Sequence, residues 1–287
     1  DWRLLRQQPL LTDRPFDSHN IAFWDAEQGQ YVAYMRGWIN PGFRGIRRSV
    51  SDDFITWSEP IFIGLGSTKL EHLYTNAATP YYRAPHIYMM FPMRFTPDRR
   101  FDPDWTEPGL SEAVFMTSRD GLNFDIWPEC FLRPGLKLRE NWFYGDNYQN
   151  HGLVETPSHV EGAADEISVY APEASTLPDS LCRLRRYTLR IDGFVSVQPV
   201  SDQKAGTLTT RPFVFLGDDI QINADASNGS VRVEILDANG KPIDGFSAAD
   251  CQALRGDQLR HTLRWKEKQN CRQLKGRPIR LQFYLDQ

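Results

Sequence analysis

The chain has 287 residues, 40% of them hydrophobic and 13% aromatic, and a formal net charge of −4. That length holds one large β domain or two domains, and the aromatic content favours strands. The balance lacks the basic excess of a nucleic-acid binder, and no apolar run approaches the ~20 residues of a membrane span.

Trp2–Leu5, followed by Pro9-Leu10-Leu11, reads as the last hairpin of a preceding unit. The first complete unit starts at His19–Trp24, turns at Asp25–Gly29, and returns through Tyr31–Arg36 and Arg44–Val50. It ends in Ser51-Asp52-Asp53-Phe54-Ile55-Thr56-Trp57, an acidic tight turn closed by an aromatic, as in a hairpin. Arg44, Arg47 and Arg48 read as a solvated strand face. The second unit runs Leu73–Ala78, a turn at Arg83–Pro85, then His86–Pro92 and Glu112–Thr117. It ends in a second copy of the same turn, Ser118-Arg119-Asp120-Gly121-Leu122-Asn123-Phe124. Thr96–Gly109, with Pro97, Pro103 and Pro108, reads as an inserted loop. The third unit runs Tyr148–Val154, Glu166–Tyr170 and Cys182–Ile191, ending at Asp192-Gly193-Phe194.

Each unit therefore reads as four short strands, and a turn recurring at long intervals predicts a β-propeller. Three units leave sheet edges open. This predicts blades ahead of Asp1, or closure through another copy as a homo-oligomer. Past Ser201 the pattern changes to strict alternation in Ser230–Leu236, Arg260–Trp265 and Ile279–Leu285, the signature of a β-sandwich. The fold class is thus all-β. Residues 1–200 are expected to form propeller blades and 201–287 a β-sandwich, with the boundary near 198–206. Ala248–Leu254 is the one expected turn of helix. Cys130, Cys182, Cys251 and Cys271 have no zinc spacing, and their C-terminal proximity admits a Cys251–Cys271 bridge.

The Ser-x-Asp-Gly-x-x-Phe/Trp turn in four-stranded units ahead of a β-sandwich resembles the five-bladed β-propeller glycoside hydrolase superfamily, which includes invertases, levanases and arabinanases. Phe16–Asn20, Tyr74-Thr75-Asn76, Trp142–Gln149, Gly152–Thr156 and Arg185–Arg190 look like a glycosyl hydrolase-like branch from environmental bacteria. The resemblance covers nearly the whole chain. It implies catalytic acids on the innermost strands of successive blades, with an Asp of the first blade and an Arg-Asp-Pro-like motif of the second lying ahead of Asp1. It implies a carbohydrate partner and no cofactor, although a channel calcium ion is compatible with Asp and Asn ligands.

Glycoside cleavage needs two carboxyl groups flanking the bond. Propeller geometry sends the first residues of each innermost strand to the channel mouth. Asp17, Glu71 and Asp146 are therefore the candidate catalytic acids, each weighed against an Asx-turn, a surface charge and a structural turn with Gly145. Candidate sugar contacts are His19, Asn20, Arg36, Tyr74, Asn76, Arg94, Trp142, Tyr148, Gln149, His151 and Glu155. The arginines can grip a carboxylate or sulfate, or pair with a buried acid. The asparagines can meet sugar hydroxyls or satisfy backbone, and the aromatics can stack on a sugar or fill the core. Asp53 and Asp120 read as structural, and a His-based metal site is not expected. Three functions follow: a glycoside hydrolase, a glycan-binding propeller without catalysis, and a sialidase-like exo-glycosidase that needs three converging arginines and a Tyr nucleophile.

Overall fold

The computed structural model describes residues 3–12, 16–40, 42–104, 109–177, 179–200 and 205–286. It is all-β, with seventeen strands and a single 3-10 turn among the described residues. The strands form four sheets, none of which closes on itself. Contacts divide the chain into two compact units, residues 1–155 with 167–188 and residues 156–166 with 189–287.

The first sheet is a meander of β1 (Ile21–Asp25), β2 (Gln30–Ile39), β3 (Phe43–Ser51) and β4 (Ile61–Phe62). Its first hairpin turns where expected. The Asp25 carboxylate accepts the N–H groups of Glu27 and Gln28 at 3.0 and 3.1 Å, and Gly29 takes the left-handed φ of 65°. Asp25 is itself buried, and its other oxygen accepts the Tyr88 hydroxyl at 2.5 Å. Burial, and then this bond, push the Tyr88 phenol up to about 12.

The second sheet has six strands: β5 (His72–Leu73), β6 (Thr79–Tyr81), β7 (Ala84–Met90), β8 (Met93–Thr96), β9 (Leu110–Ser118) and β10 (Phe124–Leu132). They lie along four lines. β5 pairs β8 and β6 pairs β7, while β7 and β8 both pair the same side of β9. The two inner lines are therefore single extended segments, each interrupted once. Pro92 lacks an N–H to continue one ladder, and Ala77 with a φ of 42° bends the other. The breaks are bridged by hydrogen bonds from Tyr74 N–H to Met93 O and from Phe91 N–H to Asn76 O. Met93–Thr96 is thus a strand, and of the expected insertion Thr96–Gly109 only Thr96 belongs to it. Pro108 lies outside the described residues. The facing sides of the two sheets share one core, built from Val32, Tyr34, Ile46, Met90, Val114 and Met116 among others.

Both copies of the repeated turn have the same wiring. Asp53 accepts the N–H groups of Ile55 and Thr56 at 2.7 and 2.6 Å, and Asp120 those of Leu122 and Asn123 at 2.8 and 2.7 Å. The next residue is left-handed each time, Phe54 at 63° and Gly121 at 70°. Gly121 has no room for more, since a Cβ would stand 2.8 Å from the Tyr34 hydroxyl oxygen. Phe54 tolerates the strain because its ring packs edge-on against Tyr31 and Trp57. The backbone donors hold the Asp53 carboxyl down at about 2. A depressed folded pKa adds stability above the unfolded value and loses it as pH falls through the folded one. Asp53→Asn is therefore expected to lower the melting temperature at pH 7 and to match the parent near pH 2, as checked by thermal unfolding across pH 2–7.

The third sheet is β11 (Val154–Thr156), β12 (Glu166–Glu173) and β13 (Arg183–Arg190). The expected innermost strand at Tyr148–Val154 is mostly irregular. Left-handed Asn147 and Gly152 break it, yet Asn147 and Asn150 still donate to Pro172 O and Tyr170 O along β12. At the chain start Trp2 lies outside the described residues, and Arg3–Leu5 form no strand.

The second unit carries one four-stranded antiparallel sheet in the order β14 (Ala205–Thr209), β17 (Ile279–Asp286), β15 (Gln221–Asp237), β16 (Leu254–Thr262). β15 pairs β16 through Gln221–Ala226 and again at Val231–Leu254, and pairs β17 through Ser230–Asp237. The alternation read in Ser230–Leu236 buries Val231, Val233 and Ile235 against Phe246, Leu263 and Trp265. Cys251 and Cys271 sit in that core as free thiols, so no bridge joins them. The 3-10 turn is Arg272–Leu274, whereas Ala248–Asp250 form a simple turn. Residues 201–204, within the expected boundary, lie outside the described residues.

Candidate functional site

The first unit contains a cavity of about 590 Å3. The segment ahead of β1 brings Asp17, Ser18 and His19 to it. The interruption between β5 and β6 adds Tyr74 and Thr75, with Met93 from the start of β8. The irregular stretch before β11 adds Tyr144, Gly145, Tyr148, Asn150 and His151, and the turn after β12 adds Ser175 and Thr176. The breaks in the inner strands thus make the site: unpaired backbone opens there and side chains turn inward.

Two asparagines hold the first segment in place. The Asn20 amide donates to Phe16 O and Ser18 O, while its oxygen accepts the Arg36 N–H. Asn76 is buried, donates to His19 O at 2.8 Å, and accepts the Ala78 N–H. Ser18 donates to Tyr74 O. Asn76 spends its groups on backbone, so it shapes the cavity without lining it.

Asp17 is 64% exposed and lies 2.8 Å from Arg36 Nη1. Arg36 is almost enclosed, with its guanidinium 5.1 Å from the Trp38 ring centroid and 5.6 Å from that of Tyr74. Arg44 stacks on the same two rings, at 5.1 and 5.2 Å, and on Phe95 at 5.6 Å. The hairpin register explains this cluster. Trp38 is directly opposite Arg44, and Arg36 is two residues away on the same face. Arg47 is buried and donates to Arg36 O, and Arg48 donates to Gln28 Oε1. The basic run is therefore no solvated face. Arg47 is buried on one face of β3, while Arg44 and Arg48 are half-buried on the other, Arg44 against aromatic rings.

Also on the cavity wall, His19 and His151 meet edge to face at 6.1 Å. Burial, and then the charge of His151, lower the His19 pKa, and its Nδ1 is buried with no hydrogen-bond partner. Gln149 is fully buried. It reaches Gly152 O at 3.4 Å, and its Oε1 is unpartnered. Burial also raises the phenols of Tyr144 and Tyr148.

The three candidate acids do not meet in one cleft. Asp146 lies wholly beneath the wall. Its carboxylate accepts the N–H groups of Ala174 and Ser175, both at 2.9 Å, and the Ser175 hydroxyl. Burial pushes its carboxyl up in spite of these donors. It fixes the turn that presents Ser175 and Thr176 to the cavity, which makes it a positioning residue. Glu71 pairs with Arg94 at 3.2 Å, and Arg94 also binds buried Glu112, so both belong to a separate ionic cluster. Trp142 is also elsewhere, donating to Gly135 O with Arg99 and Lys137 against its ring. Glu155 accepts the Tyr82 hydroxyl at 2.6 Å on the surface.

Sequence reasoning missed Tyr144, Asn150, Ser175, Thr176 and the role of Arg44. Pairing β2 with β3 through the tight turn between them would have set Arg44 beside Trp38. Nothing in the sequence marks the Ser175 turn, which depends on Asp146 far away along the chain. Among the described residues no three His, Cys, Asp or Glu side chains gather as a metal site requires, and no helix is long and apolar enough to cross a membrane.

No family model matches the chain, and no curated protein sequence matches it. Among solved structures it is similar to an N-acetylgalactosamine deacetylase from F. plautii in complex with blood group B trisaccharide, at 12% identity and a TM-score of 0.38. That match covers 94% of this chain and 51% of the deacetylase. A second structure, a glycoside hydrolase, aligns at 15% identity and a TM-score of 0.35, over 58% of this chain and 47% of its own. A third is a fructofuranosidase variant from Schwanniomyces occidentalis complexed with fructosylnystose, at 10% identity and a TM-score of 0.32, covering 96% of this chain and 93% of its own. The chain spans about half the length of the first two. At this level of likeness the functional reading rests on the cavity itself.

Proposed function

We propose that the cavity of the first unit is a carbohydrate site, and that the chain is part of a glycoside hydrolase-like β-propeller followed by a sandwich-type module. The observation that carries this reading is the wall chemistry. Tyr74, Tyr144 and Tyr148 bring aromatic rings, Asp17 and Asn150 bring polar groups, and Ser18, Ser175 and Thr176, whose hydroxyls donate to backbone carbonyls, bring acceptor oxygens around one opening. A sugar has apolar C–H faces and a rim of hydroxyls, and a pocket that binds it needs both kinds of surface at once. The volume of about 590 Å3 suits one or a few sugar rings.

Asp17 is the carboxylate placed to act on such a ligand. Held by Arg36, it fits a charged role, as base, nucleophile or hydroxyl acceptor, better than that of proton donor. A second carboxyl would have to come from outside the described lining. Another blade or another copy of the chain would provide it. Without one, the site binds a glycan and does not cleave it, and the enclosed position of Asp146 favours that second reading.

The test is titration of the protein with a panel of oligosaccharides by calorimetry, together with a reducing-end assay on the same panel. Tyr144→Ala is expected to weaken binding about tenfold, the scale of one lost ring contact. Asp17→Asn is expected to remove any cleavage while leaving the protein folded by circular dichroism. A panel with no binding and no cleavage would end the carbohydrate reading.

A further inference from the structure

Two guanidinium groups back the Tyr74 side of the cavity, and one carboxylate neutralises one of them. Arg36 has Asp17 at 2.8 Å. Arg44 has no carboxylate within ion-pairing distance among the described residues, and its Nε is buried with no hydrogen-bond partner. The charges that face this cluster add nothing to balance it. Glu71 is engaged by Arg94. His72, whose Nδ1 accepts the Arg44 N–H, has its pKa lowered by burial and then by the Arg44 charge. The cavity wall also brings His19 and His151, which carry no negative charge.

A guanidinium held among Trp38, Tyr74 and Phe95 is partly stripped of water. The rings offset that cost through cation–π attraction, but they do not supply acceptors for its N–H groups. The planar fork is therefore fixed in orientation and still lacks the anion it matches. Trp38 is 43% exposed, so solvent and solute reach this side of the cluster. Tyr74 links it to the cavity, since its ring touches Arg44 and also lines the opening.

Building on the carbohydrate reading, we infer that the glycan taken by this cavity carries an anionic group, a carboxylate or a sulfate ester, which Arg44 receives beside Tyr74. Arg36 and Asp17 orient the ring next to it, and Arg44 selects the charge. A charge-assisted bidentate contact in a partly desolvated site adds at least about tenfold to affinity.

The experiment compares matched oligosaccharides of one length and linkage in neutral, uronate and sulfated forms, titrated calorimetrically into the folded protein and into Arg44→Gln and Arg44→Lys. The parent is expected to bind at least one anionic form ten or more times more tightly than its neutral match, with the preference shrinking as salt rises. The uronate and sulfate arms tell which anion is read. In Arg44→Gln the anionic-to-neutral ratio is expected to fall towards one, and Arg44→Lys is expected to retain part of it. A structural role alone would lower the melting temperature of both variants and leave the ratio unchanged, which overturns the inference. Equal binding of neutral and anionic forms by the parent overturns it too, while leaving the carbohydrate reading in place. Binding of no form overturns both.

Discussion

Glu112→Ala is expected to be among the most destabilising single changes in the first unit, lowering unfolding free energy by about 3–5 kcal/mol, the cost of breaking a buried ion pair from one side. Glu112 is 2% exposed at the centre of an ionic cluster. Arg94 donates to its Oε1 through Nε and Nη2 at 3.0 and 2.6 Å, and Arg99 donates to Oε2 at 3.0 Å. Arg94 also reaches Glu71, Pro128 O and the Cys130 sulfur. Removing Glu112 leaves Arg94, 12% exposed, with only the more exposed Glu71 for counter-charge. The paired change Glu112→Leu with Arg94→Met removes both enclosed charges and is expected to restore most of the loss, because the partners then left over, Arg99 and Glu71, are solvent-exposed. Urea unfolding of the three proteins tests this, and a double variant as unstable as the single one would refute it. The pH dependence follows from the same cluster. Burial alone would raise the Glu112 carboxyl, but hydrogen bonds from Cys130 and Arg94 and the charges of Arg94 and Arg99 bring it below its ordinary value. The stabilisation is therefore complete above pH 4.5 and declines as pH falls through the lowered folded pKa.

Asp146→Ala is expected to cost about 2–4 kcal/mol and to abolish measurable glycan binding together, since a buried and a part-buried backbone N–H group lose their acceptor. Those donors are Ala174, left-handed at 55°, and Ser175. The carboxylate holds the strained turn, and the turn holds Ser175 and Thr176 at the cavity. Asp146→Asn keeps an acceptor oxygen and is expected to recover part of both properties. A catalytic acid would behave differently, losing turnover with binding and melting temperature intact. Calorimetric titration alongside thermal unfolding separates the two.

The repeated acidic turns were legible because their geometry is local: one carboxylate, two following N–H groups and a left-handed residue, all within a few positions. Alternation likewise exposed the buried side of β15. The aromatic–arginine cluster was half legible, since Arg36 and Trp38 share a strand face but Arg44 joins them only through the β2–β3 register. Glu71 and Asp146 were placed by analogy of position, and their partners decided otherwise. Arg94 drew Glu71 into a neighbouring ionic cluster, and the turn at Ala174–Ser175 enclosed Asp146. The interruptions at Pro92 and Ala77 were the least visible. Each is a small backbone event, and the inner strands on either side still read as continuous.

The order of strands in the second unit bears on how the protein is made. β14 lies beside β17 and pairs Ala205 with Asp286, and the far half of β15 pairs β17 as well. During synthesis β14 and β15 leave the ribosome well before the strand that belongs between them. Both then wait with unsatisfied backbone edges, the state most open to pairing with another chain. Charged and hydroxyl residues on the outward positions, Thr207, Thr209, Arg232 and Glu234, keep that waiting surface wet. The tempo of translation through residues 240–278 thus sets how long a nascent chain stays vulnerable.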